Sequence, residues 1–557
     1  MKKPILFLAG MALISILNAQ SPKEIGLQSI TKDVVKGQLE FLASDLLEGR
    51  ATATRGEYLA ADYIASIFKM NGIKPYGDLE FSRSGRGSMS FRRQNAGPVV
   101  PPARTYYQNM NMIEYGPGNE QQLTIITKNG TGESSVDFGY KTDFTIRTGT
   151  VGRSAYSQIV FAGYGYSNEK NGYDDYKKLD VKGKVVIILA GFPGYKDINS
   201  EAYKKFRPEG RLAFALDRDK ADIAGKHGAI AVIQVRPGED PTGDWVTNQI
   251  YSVKGRYSEL DTPVTNDKRM VLQTDTLKEA VPVFTVTRRV INQILEGTGI
   301  DLPAFEKAAG EKMIPASAPL AGKFLQFKTT VESHIVRSRN VLGCIEGEKK
   351  NEVVVIGAHY DHLGKTDGWI FNGADDNASG AVGVMTIARA ISASGKKPEK
   401  TIVFAAWSGE EKGLLGSNYF VNNIPDSLKV AVYLNYDMIA RNEETDTLGN
   451  KAEMNYTEAY PGLKTLTEKS MADYKIKLNL SFRSSKVPSG GSDHAPFAAA
   501  GIPIFYFMAA MHPDYHLPSD EVSKVNWDKM TEIIKTGYLN IYELANGNSY
   551  LTPSTDK

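Results

Sequence analysis

A chain of 557 residues is too long for one ordinary domain and points to two or three. Its 41% hydrophobic and 23% charged residues are those of a globular protein, and a net charge of +2 gives no basis for binding nucleic acid or an acidic polymer. The single cysteine, Cys344, excludes an internal disulfide framework and lies in an apolar, strand-like run, where a buried core thiol is expected.

Lys2 and Lys3 followed by the largely apolar Pro4 to Leu17, with Ala19 before Gln20, read as a secretory signal peptide over residues 1–19. No later apolar run is long enough to span a membrane, so an exported protein, periplasmic or extracellular, is expected. Residues 34–75 read as helical: Val34, Val35, Leu39 and Leu42 recur at helical spacing, and a second helix runs from about Glu57 to Met70 with Gly72 as its stop. Residues 80–105 are polar, basic and aperiodic, as in a loop.

From about 120 to 305 the texture changes to short β runs. Ile159 to Tyr166, Lys184 to Leu189, Ala229 to Ile233 and Val281 to Val286 read as strands, and Ala221 to Lys226 as helix. This segment contains one histidine, His227, and no cluster with metal-ligand spacing. From about 325 continuous apolar strands (Val353 to Ile356, Thr401 to Trp407, Ala431 to Tyr436, Pro503 to Met508) alternate with helices such as Ser379 to Ile391, the signature of a largely parallel sheet covered on both faces. Ligands of such sheets sit beyond the carboxyl ends of the strands.

The chemistry concentrates there. Five of the seven histidines (His359, His362, His494, His512 and His516) lie from the end of the first of these strands onward. Three strands run into His359-Tyr360-Asp361-His362, into Ser408-Gly409-Glu410-Glu411 and onto Asp437. Between the first two lies the acidic, Gly-flanked loop Gly373 to Gly380, which contains Asp375 and Asp376. Imidazole and carboxylate donors without thiolate suit zinc, less often manganese or cobalt. They are too many for one four-coordinate ion, and one bridging carboxylate would let them serve two ions roughly 3.5–4 Å apart, an arrangement that activates water for hydrolysis. Of the adjacent Glu410 and Glu411, one can bind metal while the other takes the proton of the water. One of the histidines in His512 to His516 could complete the set.

Gly357 to Asp361, Gly373 to Gly380, Gly409 to Gly416, Leu434 to Arg441, Gly490 to Pro503 and Tyr515 to Asp520, together with Leu39 to Arg50, resemble in order the motifs of the co-catalytic di-zinc aminopeptidase family. That family includes secreted bacterial leucyl aminopeptidases and glutamate carboxypeptidase II. The resemblance implies an α/β/α zinc-exopeptidase sandwich with a mixed, mainly parallel sheet. It implies two Zn2+ held by His359 and Asp437 on one side and Glu411 and His516 on the other, with Asp375 bridging and His512 as rival to His516. Glu410 would be the general base and Asp361 would hold His359 through its other ring nitrogen. Ser492, Asp493 and His494 would support the site.

Gly163-Tyr164-Gly165, Asp174-Asp175-Tyr176, Leu179 to Val186 and Ala229 to Ile233 resemble an inserted α+β protease-associated domain, which in relatives borders the substrate cleft. The expected layout is therefore the N-terminal part of the peptidase domain over 22–115, the insert over 120–310 and the di-zinc domain over 325–548. The implied activity is removal of N-terminal residues from peptides with a free amine. A carboxypeptidase, another di-zinc amidohydrolase, a glutaminyl cyclase on the same fold and a non-catalytic binding protein are the alternatives. A carboxypeptidase would need cations such as Arg441 or Arg483 to grip a terminal carboxylate.

Overall fold

The computed structural model describes residues 20–80, 102–195, 197, 199–207, 212–235, 268–275, 280–366 and 368–554. The expected signal peptide and most of the expected basic loop lie outside these residues. Among the described residues no helix is long and apolar enough to cross a membrane.

Two sheets organise the chain. The larger has ten strands, and its heart is parallel: Lys349–His359 lies between Lys400–Trp407 and Lys429–Tyr436, and the latter pairs in parallel with Ile504–Met508. The flanks are antiparallel where Val331–Ile345 meets Lys400–Trp407 and where Lys451–Thr457 meets Ile504–Met508. The sheet is therefore mixed, with parallel pairing confined to its centre and to the outer pair Lys451–Thr457 and Asn479–Ser485.

The central strands read as unbroken apolar runs because both faces are covered. Side chains alternate across a strand. Val354, Ile356, Ile402, Phe404 and Ala406 enter one core, which helices Lys32–Leu42, Arg55–Met70, Gly380–Ser394 and Trp527–Ala545 complete. Val353, Val355, Val403, Ala405 and Trp407 enter the opposite core with Phe420 and Phe497, from helices Leu415–Asn422 and His494–Ala499. The result is an α/β/α sandwich. Cys344 is buried in the second core, as its apolar surroundings require, and burial pushes its thiol up to about 11, so it is not a thiolate at neutral pH.

The second sheet has eight strands, drawn from Gln122–Asn129 through Ala318–Thr329, with a core of its own. Its centre is parallel: Arg153–Phe161, Val185–Leu189, Ala231–Val235 and Val283–Val286 lie side by side. Gly163 and Gly165 have φ of 54° and 60°, which glycine adopts without penalty, and their turn is pinned by buried Asp175, which accepts the N–H groups of Tyr164 and Tyr166 at 3.0 and 3.1 Å.

The chain passes between the sheets on a ribbon. Tyr107–Pro117 pairs antiparallel with residues 331–341 of the strand Val331–Ile345, in register from Tyr107 opposite Val341 to Pro117 opposite Val331. A short strand, Arg269–Leu272, returns to pair with this ribbon. Met112, Met270 and Leu272 pack there with Leu415, just beyond the loop that carries Glu410 and Glu411.

Candidate metal centre

Four of the acidic and imidazole groups arrive at the carboxyl ends of parallel strands. His359 ends Lys349–His359, Glu410 and Glu411 follow Lys400–Trp407, and Asp437 follows Lys429–Tyr436. Adjacent parallel strands lie about 4.8 Å apart, so three of them deliver these groups to one patch. The loop after Asn372 and the segment 512–516 close over it.

Within the patch the donors divide into two sets around one carboxylate, that of Asp376. His359 Nε2 lies 3.4 Å from Asp376 Oδ1 and 3.5 Å from Asp437 Oδ1. His516 Nε2 lies 3.2 Å from Asp376 Oδ2 and 3.3 Å from Glu411 Oε2. These separations exceed the 2.7–2.9 Å of a charge-assisted hydrogen bond. They match the edge of a tetrahedron with metal–ligand bonds near 2.05 Å, about 3.3 Å. Asp437 Oδ1 is buried and has no hydrogen-bond partner, and His359, Asp376 and Asp437 bring their donor atoms close enough to hold one ion. The donor set thus suits zinc.

The electrostatics agree. Asp361, Asp376, Asp437 and Asp493 are buried, with Glu410 and Glu411 partly buried beside them, and such a set needs cations. Burial raises the Glu410 carboxyl well above its ordinary range, with Glu411, Asp493 and Asp437 adding to it. Burial also lifts Asp437, and pushes Asp493 up to about 7. Burial acts in the same direction on Asp376, but His359 and His516 outweigh it and hold that carboxyl well below its usual range.

Asp375, the residue expected to bridge, points elsewhere. Its Oδ1 accepts the N–H of Ala440 at 2.6 Å and the hydroxyl of Ser379 at 3.2 Å, and its Oδ2 lies 3.2 Å from His512 Nε2. Two adjacent aspartates on a tight loop send their side chains in opposite directions, and composition cannot say which faces the metal side. His512 is accordingly buried behind the loop with Asp375, while His516 reaches the cluster.

Asp361 also differs from expectation. His359 Nδ1 lies 3.1 Å from the backbone carbonyl of Asp361, whereas the Asp361 carboxylate is 3.9 Å away. That carboxylate instead accepts the backbone N–H of Glu410 at 3.1 Å and the Thr52 hydroxyl at 2.7 Å. Ser492 Oγ accepts from Asn435 at 2.8 Å, and His494 stacks on Tyr506 with ring centroids 4.7 Å apart.

Several residues here have roles that the sequence did not assign. His362 Nδ1 lies 2.7 Å from Glu411 Oε1, a hydrogen bond that turns the other Glu411 oxygen toward His516. Asp520 accepts the N–H groups of both Asp375 and Asp376, fixing the acidic loop. Arg50 is fully buried and donates to the carbonyls of Leu42, Tyr360, Asn372 and Gly373, tying the His359 strand end to that loop. Only the last residue of Gly49-Arg50, matched as part of a motif, hinted at this. Arg50→Met would strand four buried carbonyls, so a loss of about 3–5 kcal/mol is expected, read from urea unfolding. Lysine at this position is expected to recover little of it, because an ammonium cannot reproduce the planar fork.

The profile of the family described as Peptidase family M28 matches residues 340–538, the stretch that contains every one of these metal-side donors. Over that stretch the chain is similar to M28-family peptidases. The chain is 28% identical over 398 residues to a glutamate carboxypeptidase 2 homolog of Caenorhabditis elegans, covering 64% of this chain and 48% of that protein. It is 34% identical over 167 residues to leupeptin-inactivating enzyme 1 of Streptomyces exfoliatus, covering 30% of this chain and 34% of that one. The chain thus spans at most about half the length of these curated relatives. Among solved structures, the aminopeptidase from Aneurinibacillus sp. strain AM-1 superposes with a TM-score of 0.56 at 19% identity, covering 96% of this chain and 98% of that one. The zinc aminopeptidase of Bacillus subtilis superposes with a TM-score of 0.51 at 18% identity, covering 95% and 98%. At such identities the superpositions establish a shared fold, one that extends well beyond the M28 segment.

Proposed function

We propose that this protein is a two-zinc aminopeptidase in which Asp376 bridges the ions, His359 and Asp437 complete one site, and Glu411 and His516 complete the other. The observation that carries the reading is the pair of tetrahedral-edge separations on either side of Asp376, with Glu410 beside them in a cleft of about 680 Å³. Bound zinc would supply Lewis acidity, lowering the pKa of a water and polarising the scissile carbonyl. Glu410 takes the proton of the water and returns it to the leaving amine. Asp361, through the Glu410 N–H, keeps that side chain in place.

Charge in the cleft favours a substrate's free amine over its carboxylate. Asp376, Glu410, Asp437 and Glu453 line it, whereas the one Lys or Arg among its described lining residues, Arg483, is paired with Glu453 at 2.6 Å. Arg441 is turned behind the acidic loop toward Asp514 and Asp520. Met438, Tyr506, Met508 and Met511 give the cleft apolar walls suited to an apolar side chain. Phe505 and Phe507, on the opposite face of their strand, are buried in the core.

The body built on the second sheet is proposed to be a protease-associated module, supported by its parallel centre and the Asp175-pinned turn. None of its described residues lines the cleft.

The deciding experiment is hydrolysis of aminoacyl-p-nitroanilides beside N-acetylated and C-terminal substrates by zinc-loaded protein. Cleavage confined to free-amine substrates, lost on chelation and restored by zinc, is expected. Two bound zincs with cleavage only of blocked or C-terminal substrates would replace the aminopeptidase reading.

A further inference from the structure

Behind the loop that carries Glu410 lies a buried carboxyl that the proposed reaction does not use. Glu57 sits in the first turn of the helix Arg55–Met70, is 1% exposed, and lies beneath the end of the strand Lys400–Trp407. A glutamate there has a local reason, since its Oε2 accepts the Ala53 N–H at 2.6 Å and so satisfies a donor at the helix start. Its other contacts exceed what a cap needs. Ser338 Oγ lies 2.7 Å from Oε2, Ser408 Oγ is hydrogen-bonded to Oε1, and the two serine oxygens are 2.5 Å apart.

We propose that Glu57 is a positioning residue that acts as a neutral carboxylic acid, closing a ring of hydrogen bonds with Ser408 and Ser338 and thereby fixing the backbone from which Glu410 and Glu411 project. The inference rests on the proposed role of those two glutamates.

The argument is a count of protons. Three oxygen–oxygen contacts form a closed triangle, and each needs one hydrogen. Each serine hydroxyl supplies one. An ionised Glu57 would accept both, leaving the serine oxygens facing each other at 2.5 Å with lone pairs only. A protonated Glu57 supplies the third hydrogen: Oε1–H donates to Ser408, Ser408 donates to Ser338, and Ser338 donates to Oε2.

The surrounding charges favour this state. The charge that acts on it is the buried Asp361 carboxylate, and Tyr360 and Tyr58 are close by. Arg339, beside Ser338 on the strand, turns its guanidinium to Asp62 and the Tyr58 carbonyl. Arg337 lies on the other side of Ser338, and its carbonyl accepts the Tyr58 hydroxyl. Burial, reinforced by Asp361, pushes the Glu57 carboxyl up to about 8.

The geometry reaches the reacting loop directly. Ser408 also receives the Gly416 N–H on its carbonyl and gives its own N–H to Asn340, so the ring locks a residue whose backbone is already held on both sides. Two residues on, the Glu410 N–H is held by Asp361.

The test compares Glu57→Gln and Glu57→Ala in the full zinc-loaded protein. Glutamine has the donor and acceptor of a neutral acid and can close the same ring. With leucine p-nitroanilide, Glu57→Gln is expected to keep kcat within about twofold, and Glu57→Ala to lose about tenfold or more in kcat at unchanged KM and zinc content, since small misplacements of reacting groups cost that much. Equal damage in both variants, or none in Glu57→Ala, would overturn the proposal.

Two readouts stand without activity. A carboxyl whose folded pKa lies above its unfolded value contributes stability that is complete below the unfolded value and is lost as pH rises through the folded one. The Tm of the wild type should therefore fall relative to Glu57→Gln as pH rises from about 5 to about 8. A pH-independent difference would show that Glu57 is ionised. Crystal structures should show residues 408–411 superposed in Glu57→Gln and displaced in Glu57→Ala, and an undisplaced loop would reject the positioning role. If these two hold while no substrate is cleaved, the aminopeptidase reading fails and the ring stands.

Discussion

Glu410→Gln is expected to lower kcat on an aminoacyl-p-nitroanilide by about 10²- to 10⁴-fold while two zinc ions per chain remain bound, because it removes a proton acceptor and nothing else. The amide has the shape of the carboxylate. The backbone N–H of Glu410 stays on Asp361, and the neighbouring Glu411 stays on His362 and faces His516. KM should move little, since Glu410 is not asked to bind the substrate's side chain. Kinetics and metal analysis on one preparation distinguish this from damage to the metal centre. Full activity in the variant would mean that another group accepts the proton. Loss of zinc along with activity would mean that Glu410 is itself a ligand.

The second large effect separates two adjacent aspartates. Asp376→Asn is expected to abolish activity and release both metals, because each set of donors is built on one of its oxygens. Asp375→Asn should retain zinc. Its Oδ1 accepts backbone and hydroxyl donors and its Oδ2 faces His512, so the cost should fall on stability, about 1–3 kcal/mol, as for a disturbed buried hydrogen-bond set. Metal content after dialysis, beside urea unfolding, reads both. Zinc lost from Asp375→Asn and kept by Asp376→Asn would return the bridge to Asp375.

The parts of this centre that the sequence made legible are those written as local pattern. Continuous apolar runs ending in His359, Glu410 and Asp437 announced parallel strands with chemistry at their tips, because the sheet repeats along the chain with a period the eye can follow. Helix ends moved by a few residues: the helix expected from Glu57 begins at Arg55, with Glu57 already inside its first turn. Asp375 and Asp376 could not be told apart, because their directions follow from the backbone of one tight loop and from a donor at Ala440 and an acceptor at Asp520, far along the chain. Arg50, Thr52 and Glu57 were invisible for a similar reason. They serve strand residues some 280 to 360 positions away, and no spacing rule joins groups that meet only after the sheet has formed.

The ribbon between the two sheets has a consequence for how the chain is spliced together. Pro117 and Val331 are cross-strand partners, and the next pair inward is already laddered. Seen from the ten-stranded sheet, everything from 118 to 330 enters and leaves at one point, as the tip of a hairpin does. The metal-bearing sheet therefore carries almost no closure cost for that excursion, however long it is, and tolerates changes of length there. The exception is the short return strand Arg269–Leu272, whose Met270 and Leu272 help cover Leu415. A chain cut back to a plain turn at 117/331 would keep its register and uncover the apolar floor beneath the loop that carries Glu410.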